Sequence, residues 1–188
     1  MTEFTTYKID TAPEGSKPFL EGAKQAFGFA ANLLGNMAEA PTLLEGYLTL
    51  AGIFDKTNLT ETERQIILMT NNSLNGCTYC MAAHTTISQM HNVPSDVIEA
   101  LRENTPIADP KLEALRQFAA TVNLKRGWPD EAEIEAFLAA GYTRQTVLEV
   151  ILGTSLKVMS NYTNHITQTV VDDAFASNAW APSQAQAA

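Results

Sequence analysis

Two cysteines and a histidine stand together in the stretch Asn75-Gly76-Cys77-Thr78-Tyr79-Cys80-Met81-Ala82-Ala83-His84, and Cys77 and Cys80 are the only cysteines among the 188 residues. In a helix, one turn separates the two thiols and holds their Cα atoms at roughly the 5 to 6 Å that a disulfide spans. His84 follows Cys80 by one further turn and shares its face, where an imidazole takes a proton from the thiol or stabilises the thiolate. The expected chemistry is therefore thiol redox chemistry. Thiolate, the reactive form, is favoured at a helix N-terminus, where free backbone N–H groups and the helix dipole attract negative charge. His84 is the direct neighbour of Cys80 and lies two turns from Cys77, so Cys80 is the expected attacking thiol. A hydroperoxide would convert Cys80 to a sulfenic acid. Cys77 would then condense with it to a disulfide and release water, and an external dithiol or protein reductant would reopen the bridge.

Zinc is the rival use of the same side chains, with Cys77, Cys80 and His84 joined by His91 or His165. Zinc motifs usually bring a second ligand pair at fixed spacing, and none is present, so zinc is the lesser reading. An inert buried pair is the plainer alternative. Taken singly, His91 and His165 read as surface or satisfied core histidines.

The elements that must position these groups read as helices throughout. Phe19, Ala23, Ala26, Phe27, Ala30, Leu33 and Leu34 recur at three- and four-residue steps, and Leu44, Tyr47, Leu48, Ala51 and Phe54 repeat the pattern after Pro41. Thr60-Glu61-Thr62-Glu63 reads as a capping box opening a helix that runs to about Leu74. Asn75-Gly76 breaks the chain, and a new helix starts near Cys77 and continues past His84 to about His91. Further starts fall at Pro94 and Pro110, stops at Gly127 and Gly141, and a long apolar-periodic stretch follows Thr143. No strand alternation competes, so the expected fold is an all-α bundle of seven or eight helices. Glu63 to His84 laid over Arg144 to His165, an offset of 81 residues, hints at two related halves, with Asn161 where Cys80 stands. The expected organisation is an extended arm over residues 1–15, one helical domain over 16–176 and a flexible tail over 177–188.

Composition narrows the partners. The formal charge is -9, from 21 acidic against 12 basic residues, with no Lys/Arg cluster, which argues against nucleic acid. The first eight residues lack a basic stretch followed by an apolar run, and no segment approaches a membrane span, so a cytoplasmic protein with no membrane partner is expected. In a reducing compartment a lone neighbouring cysteine pair is catalytic or metal-binding more often than structural.

The run from Glu63-Arg64-Gln65 through Leu74-Asn75-Gly76-Cys77 to His84 resembles the core signature of the carboxymuconolactone decarboxylase superfamily, and within it the alkylhydroperoxidase D-like (AhpD-like) proteins. The likeness spans roughly residues 40 to 120. It implies an all-helical subunit, assembly into trimers or hexamers, and no metal or organic cofactor. It also implies that Cys80 is the peroxidatic cysteine, Cys77 the resolving one and His84 the group that helps deprotonate it. Two positions depart from the pattern. Gln65 stands where the family's proton relay has a glutamate and cannot carry a proton, and Glu63, two residues earlier, points nearly the opposite way and reads mainly as a cap. Tyr79 stands where the best-known members place a histidine, and a hydrogen bond from its hydroxyl is the expected substitute. The expected function is a cysteine-based peroxidase or thiol-disulfide oxidoreductase acting on a small hydroperoxide. A lactone decarboxylase of the wider superfamily and a non-enzymatic thiol redox sensor are the alternatives.

Overall fold

Thr60 begins the element around which the others assemble. Its hydroxyl accepts the Glu63 backbone N–H at 3.2 Å while the Glu63 carboxylate accepts the Thr60 N–H at 2.9 Å, the reciprocal capping box that the sequence implies. The helix so started, Glu61–Leu74, is buried without interruption over residues 65–73. A computed structural model describes residues 3–182 as α1 (Lys17–Phe27), α2 (Asn32–Met37), α3 (Pro41–Phe54), α4 (Glu61–Leu74), α5 (Thr78–Met90), α6 (Ser95–Glu103), α7 (Pro110–Leu124), α8 (Glu131–Ala139) and α9 (Arg144–Thr167). A 3-10 helix, Asp173–Asn178, follows. Among the described residues there is no strand, so the all-α expectation holds. All these α-helices have nine residues or more except α2, which has six.

Helix α4 packs against α5, α6, α7 and α9. Ile66, Ile67 and Met69 join Val97, Ile98 and Leu101 of α6, Leu115 and Phe118 of α7, and Val150 and Leu156 of α9 in one apolar core. Each such aliphatic side chain contributes about 1.5–3 kcal/mol on burial. A second cluster joins Leu20 of α1, Leu33, Leu34 and Met37 of α2 and Leu44 of α3 to Cys77, Tyr79, Cys80 and Ala83. The thiols thus lie where the amino-terminal helices close over α5.

Gly153 permits the closest approach of α9 to this core, since a Cβ there would stand 2.6 Å from Ile67 Cγ2 and 3.0 Å from Phe54 Cζ. Helix α9 runs unbroken through the region that the 81-residue offset aligned with the Asn75-Gly76 break. The reason is local. Gly76 turns the chain at φ +65°, whereas Lys157, at the matching position, stays helical, so the two segments are built differently.

Residues 3–15 cross α2, with the Tyr7 N–H donating to Gly35 O at 3.1 Å and the Thr6 hydroxyl to Asn36 Oδ1 at 2.6 Å. Of the tail expected to be flexible, residues 183–188 lie outside the described residues. The preceding part is anchored: the Trp180 indole donates to Arg102 O at 2.9 Å and the Asn178 amide to the Thr86 hydroxyl at 2.9 Å. Trp180 packs on the main core, an apolar contact masked in the sequence by its small polar neighbours. Among the described residues no helix is long and apolar enough to cross a membrane.

Candidate functional site

The turn between α4 and α5 presents the thiols. Gly76 adopts its left-handed conformation, the Cys77 N–H donates back to Asn72 O at 2.9 Å, and Cys77 becomes the N-cap of α5 with Cys80 in the first turn. Both cysteines are free, approach each other to 3.5 Å, and are 1% and 2% exposed.

Buried asparagines hold this turn in place. Asn72 Nδ2 donates to Cys80 O at 3.2 Å, Asn161 Nδ2 to Asn72 Oδ1 at 3.0 Å, and Asn75 Nδ2 to Asn161 Oδ1 at 2.9 Å. Asn123 of α7 extends the network with bonds to Asn71 at 2.7 Å and Asn75 at 3.2 Å. Amide side chains in a dry core stay only where their polar atoms are matched, so α4, α7 and α9 are locked in register around the cysteines.

The two sulfurs are electrostatically unequal. Burial by itself pushes the Cys80 thiol up, but a hydrogen bond from Cys77, the charge of Lys157 and hydrogen bonds from Ser160 and Asn161 outweigh it and bring Cys80 down to about 5. Cys77 is driven the other way by the hydrogen bond it gives Cys80, by burial and by the neighbouring negative charge. Asn164 Nδ2 donates toward both sulfurs, at 3.1 Å to Cys80 and 3.6 Å to Cys77. Tyr47 of α3, hydrogen-bonded to Ser160, is held protonated by burial and by Cys80.

His84 does not meet Cys80 directly. Its Nδ1 lies 2.9 Å from Gln65 Oε1 and its Nε2 lies 3.0 Å from Lys157 Nζ. Gln65 Nε2 in turn donates to Glu61 Oε1 at 2.8 Å. Burial, and then the Lys157 charge, hold the imidazole well below its ordinary pKa, so it is neutral. In place of the direct thiol–imidazole contact implied by the one-turn spacing, the imidazole meets Lys157, whose charge also lowers Cys80.

The other expected site residues separate. Glu63 stays at its cap, and the carboxylate that reaches the site through Gln65 is Glu61, four residues before Gln65 on the same helical face. Tyr79 donates from its hydroxyl to Asp172 Oδ2 at 2.6 Å rather than to a sulfur, and accepts weakly from the Leu33 N–H at 3.4 Å. His91 ends α5 as its C-cap. Among the described residues no group of three or more His, Cys, Asp or Glu side chains is placed to hold a metal ion.

A cavity of about 320 Å³ opens over Cys77, lined also by Thr78, Tyr79, Asn164, His165, Gln168 and Thr169. No basic side chain other than His165 faces it. Asn164 Oδ1 is buried and lacks a hydrogen-bond partner, which leaves an acceptor at the site. Lys157, Ser160, Asn161 and Asn164 all come from α9 and were not found by local spacing. Their signal was a polar row at three- and four-residue steps, hidden inside a helix that reads as apolar.

The carboxymuconolactone decarboxylase family model matches residues 39–121, which include Gln65, both cysteines and His84 but not α9. No curated protein sequence gives a significant match. Among solved structures, the fold is similar to the alkylhydroperoxidase AhpD core of a peroxidase-related protein from Ralstonia eutropha JMP134. That match has a TM-score of 0.82 and 20% identity and covers 92% of this chain and 93% of that one. A peroxidase-related protein from Silicibacter sp. TM1040 gives a TM-score of 0.78 at 19% identity, covering 93% and 95%. The apo debrominase Bmp8 gives 0.78 at 20% identity, covering 95% and 96%. The C-x-x-C turn thus falls inside the segment that the carboxymuconolactone decarboxylase family model matches, and the bundle as a whole shares the fold of the AhpD core.

Proposed function

We propose that the protein is a thiol peroxidase that reduces small hydroperoxides through a Cys77–Cys80 disulfide cycle. The observation that carries this reading is the asymmetry of the pair: a Cys80 thiol lowered toward thiolate, 3.5 Å from a Cys77 thiol kept protonated. A low-pKa sulfur is the nucleophile that attacks a peroxide oxygen, and a protonated neighbour is the group that converts the sulfenic acid to a disulfide before further oxidation. In the disulfide, Cys77 faces the cavity and Cys80 lies behind it. A reductant thiolate entering there attacks the Cys77 sulfur and expels Cys80, the better leaving group because its thiolate is the more stable. The unpaired Asn164 Oδ1 is a matching acceptor for a hydroperoxide O–H. Because Cys80 is reached only past Cys77, hydrogen peroxide and small alkyl hydroperoxides suit the site better than bulky ones. A lactone dicarboxylate finds no lysine or arginine along the cavity, which argues against decarboxylation.

Self-association belongs to the same reading. Leu148, Ile151, Val158, Tyr162 and Ile166 are exposed along α9, while the charged residues of that span, Glu149 and Lys157, are buried. This uncharged stripe is on the order of 500 Å², at the upper end of what monomers expose. Antiparallel packing about Ser155 sets Leu148 opposite Tyr162 of a second copy, so the stripe is self-complementary. The test of function is turnover. Purified protein with a dithiol reductant is expected to consume hydrogen peroxide for many cycles, whereas one stoichiometric oxidation followed by arrest marks a sensor instead.

A further inference from the structure

Both ring nitrogens of His84 are occupied inside the bundle. Gln65 turns its amide nitrogen to the Glu61 carboxylate, which only accepts, so its oxygen takes the His84 Nδ1–H at 2.9 Å, and His84 Nε2 lies 3.0 Å from Lys157 Nζ. The cavity over Cys77 is not lined by His84. It is lined by His165 of α9, whose side chain is exposed and makes no hydrogen bond or ion pair with any described residue. One histidine is thus locked behind the thiols and the other is free in front of them.

The rest of the cavity wall offers no other base. The Tyr79 hydroxyl donates to Asp172 Oδ2 at 2.6 Å, and burial together with that carboxylate holds it protonated. Thr78, Asn164, Gln168 and Thr169 carry no group that takes a proton near neutral pH. Of the helices packed against this end of α9, α2 has no titratable residue, while α3 has Glu45, which is exposed, and Tyr47, which is turned to Ser160. Tyr162, one turn before His165 on α9, does not line the cavity. A step performed here nevertheless needs a base: a reductant thiol is mostly protonated at neutral pH, and the thiolate is the form that attacks a disulfide.

We infer that His165 is the general base of the reductive half-cycle, taking the proton from a dithiol that enters the cavity and delivering its thiolate to the Cys77 sulfur. The disulfide it serves is that of the peroxidase reading. The imidazole accepts the proton of the first thiol, and the thiolate attacks Cys77. A reductant–Cys77 bond forms and the Cys77–Cys80 bond breaks, its electron pair leaving on Cys80. The second thiol of the reductant then closes on the first sulfur. Cys77 departs with the pair of that bond and takes the proton held by His165, while the second thiol's proton goes to Cys80 or, with Cys80 ionised, to water. Two electrons pass to the protein and the dithiol ends as a disulfide. An imidazole suits this part because it accepts and returns a proton near neutral pH.

The test isolates reduction from peroxide chemistry. Protein oxidised with diamide and freed of it is mixed with dithiothreitol between pH 6 and pH 9, and the thiols formed are trapped with N-ethylmaleimide and counted by mass. A neutral phosphine, tris(3-hydroxypropyl)phosphine, is run in parallel because it attacks sulfur with no S–H proton to remove. The wild-type rate with dithiothreitol is expected to level off as pH rises while the dithiol is still mostly protonated. His165→Gln is expected to be about tenfold or more slower at pH 7, to gain about tenfold per pH unit with the thiolate, and to approach wild type at pH 9. With the phosphine, the two proteins are expected to agree within about twofold, since no base is needed. Equal dithiothreitol rates at pH 7 overturn the inference, as does an equal loss with both reductants, which marks an altered cavity shape. A wild-type rate that climbs about tenfold per unit throughout overturns it whether or not the variant folds. Failure of diamide to close a Cys77–Cys80 disulfide removes the cycle and His165's part in it. A disulfide that closes with diamide but not with hydrogen peroxide counts against the peroxidase reading alone.

Discussion

At the scale of residues, the signature carried most of the information because its members are close in sequence. Cys77 and Cys80 lie within one helical turn, so their approach follows from helical geometry, whereas His84, one turn further on, meets Gln65 and Lys157 instead of Cys80. Lys157 and Asn164 come from more than seventy residues away, and no local rule places a lysine between Leu156 and Val158 inside a core. Glu63 shows the opposite error: a carboxylate beside the motif is spent on a helix cap, while Glu61 reaches the site through Gln65. The two cysteines should separate cleanly under substitution. Cys80→Ser is expected to abolish peroxide consumption, and Cys77→Ser to permit one oxidation that runs on to the sulfinic acid, as seen by intact mass. Loss of activity in Cys77→Ser with full activity in Cys80→Ser would invert the roles.

At the scale of elements, the starts of α4, α7 and α9 were legible, and Thr60, Asp109 and Thr143 each accept a backbone N–H in the first turn they cap. Asp130 caps α8 in the same way but was not read from the sequence. What was not legible is the orientation of α9, which buries Lys157, Ser160, Asn161 and Asn164 and exposes Leu148, Ile151, Tyr162 and Ile166. Apolar periodicity identified the helix, but its apolar residues divide between the core, where Val150 and Leu156 lie, and the outer surface, where Ile151 and Val158 lie, so the pattern alone does not orient it. The packing of α9 depends on Gly153. Gly153→Ala is expected to cost about 1–3 kcal/mol through overlap with Ile67 and Phe54, read as a lower urea midpoint. Because the same helix carries Lys157 and Asn164, a rise in the pH at which Cys80 alkylates should accompany that loss.

At the scale of the whole molecule, the apolar stripe on the outside of α9 and the lowered pKa of the buried Cys80 both have consequences in solution. The outer stripe of α9 predicts self-association: light scattering should report an oligomer, and Leu148→Glu with Tyr162→Glu should yield smaller species, whereas a wild-type monomer at micromolar concentrations would contradict this part of the proposal. Acid should destabilise the reduced protein in two ways. Cys80 and His84 both have folded-state pKa values below their unfolded ones, so the stability each provides is present above its unfolded pKa and is lost as pH falls. The Cys80 part fades from about pH 8.5 downward and the His84 part from about pH 6.5. The disulfide form lacks the Cys80 part, so its melting temperature should fall less between pH 8 and pH 5 than that of the reduced form. The most direct test is to add one equivalent of hydrogen peroxide to the fully reduced protein and then measure free thiols and map peptides by mass. The account predicts the loss of both thiols together and one peptide closed by a Cys77–Cys80 disulfide. Two thiols still titratable after the peroxide has been given time to react would contradict it.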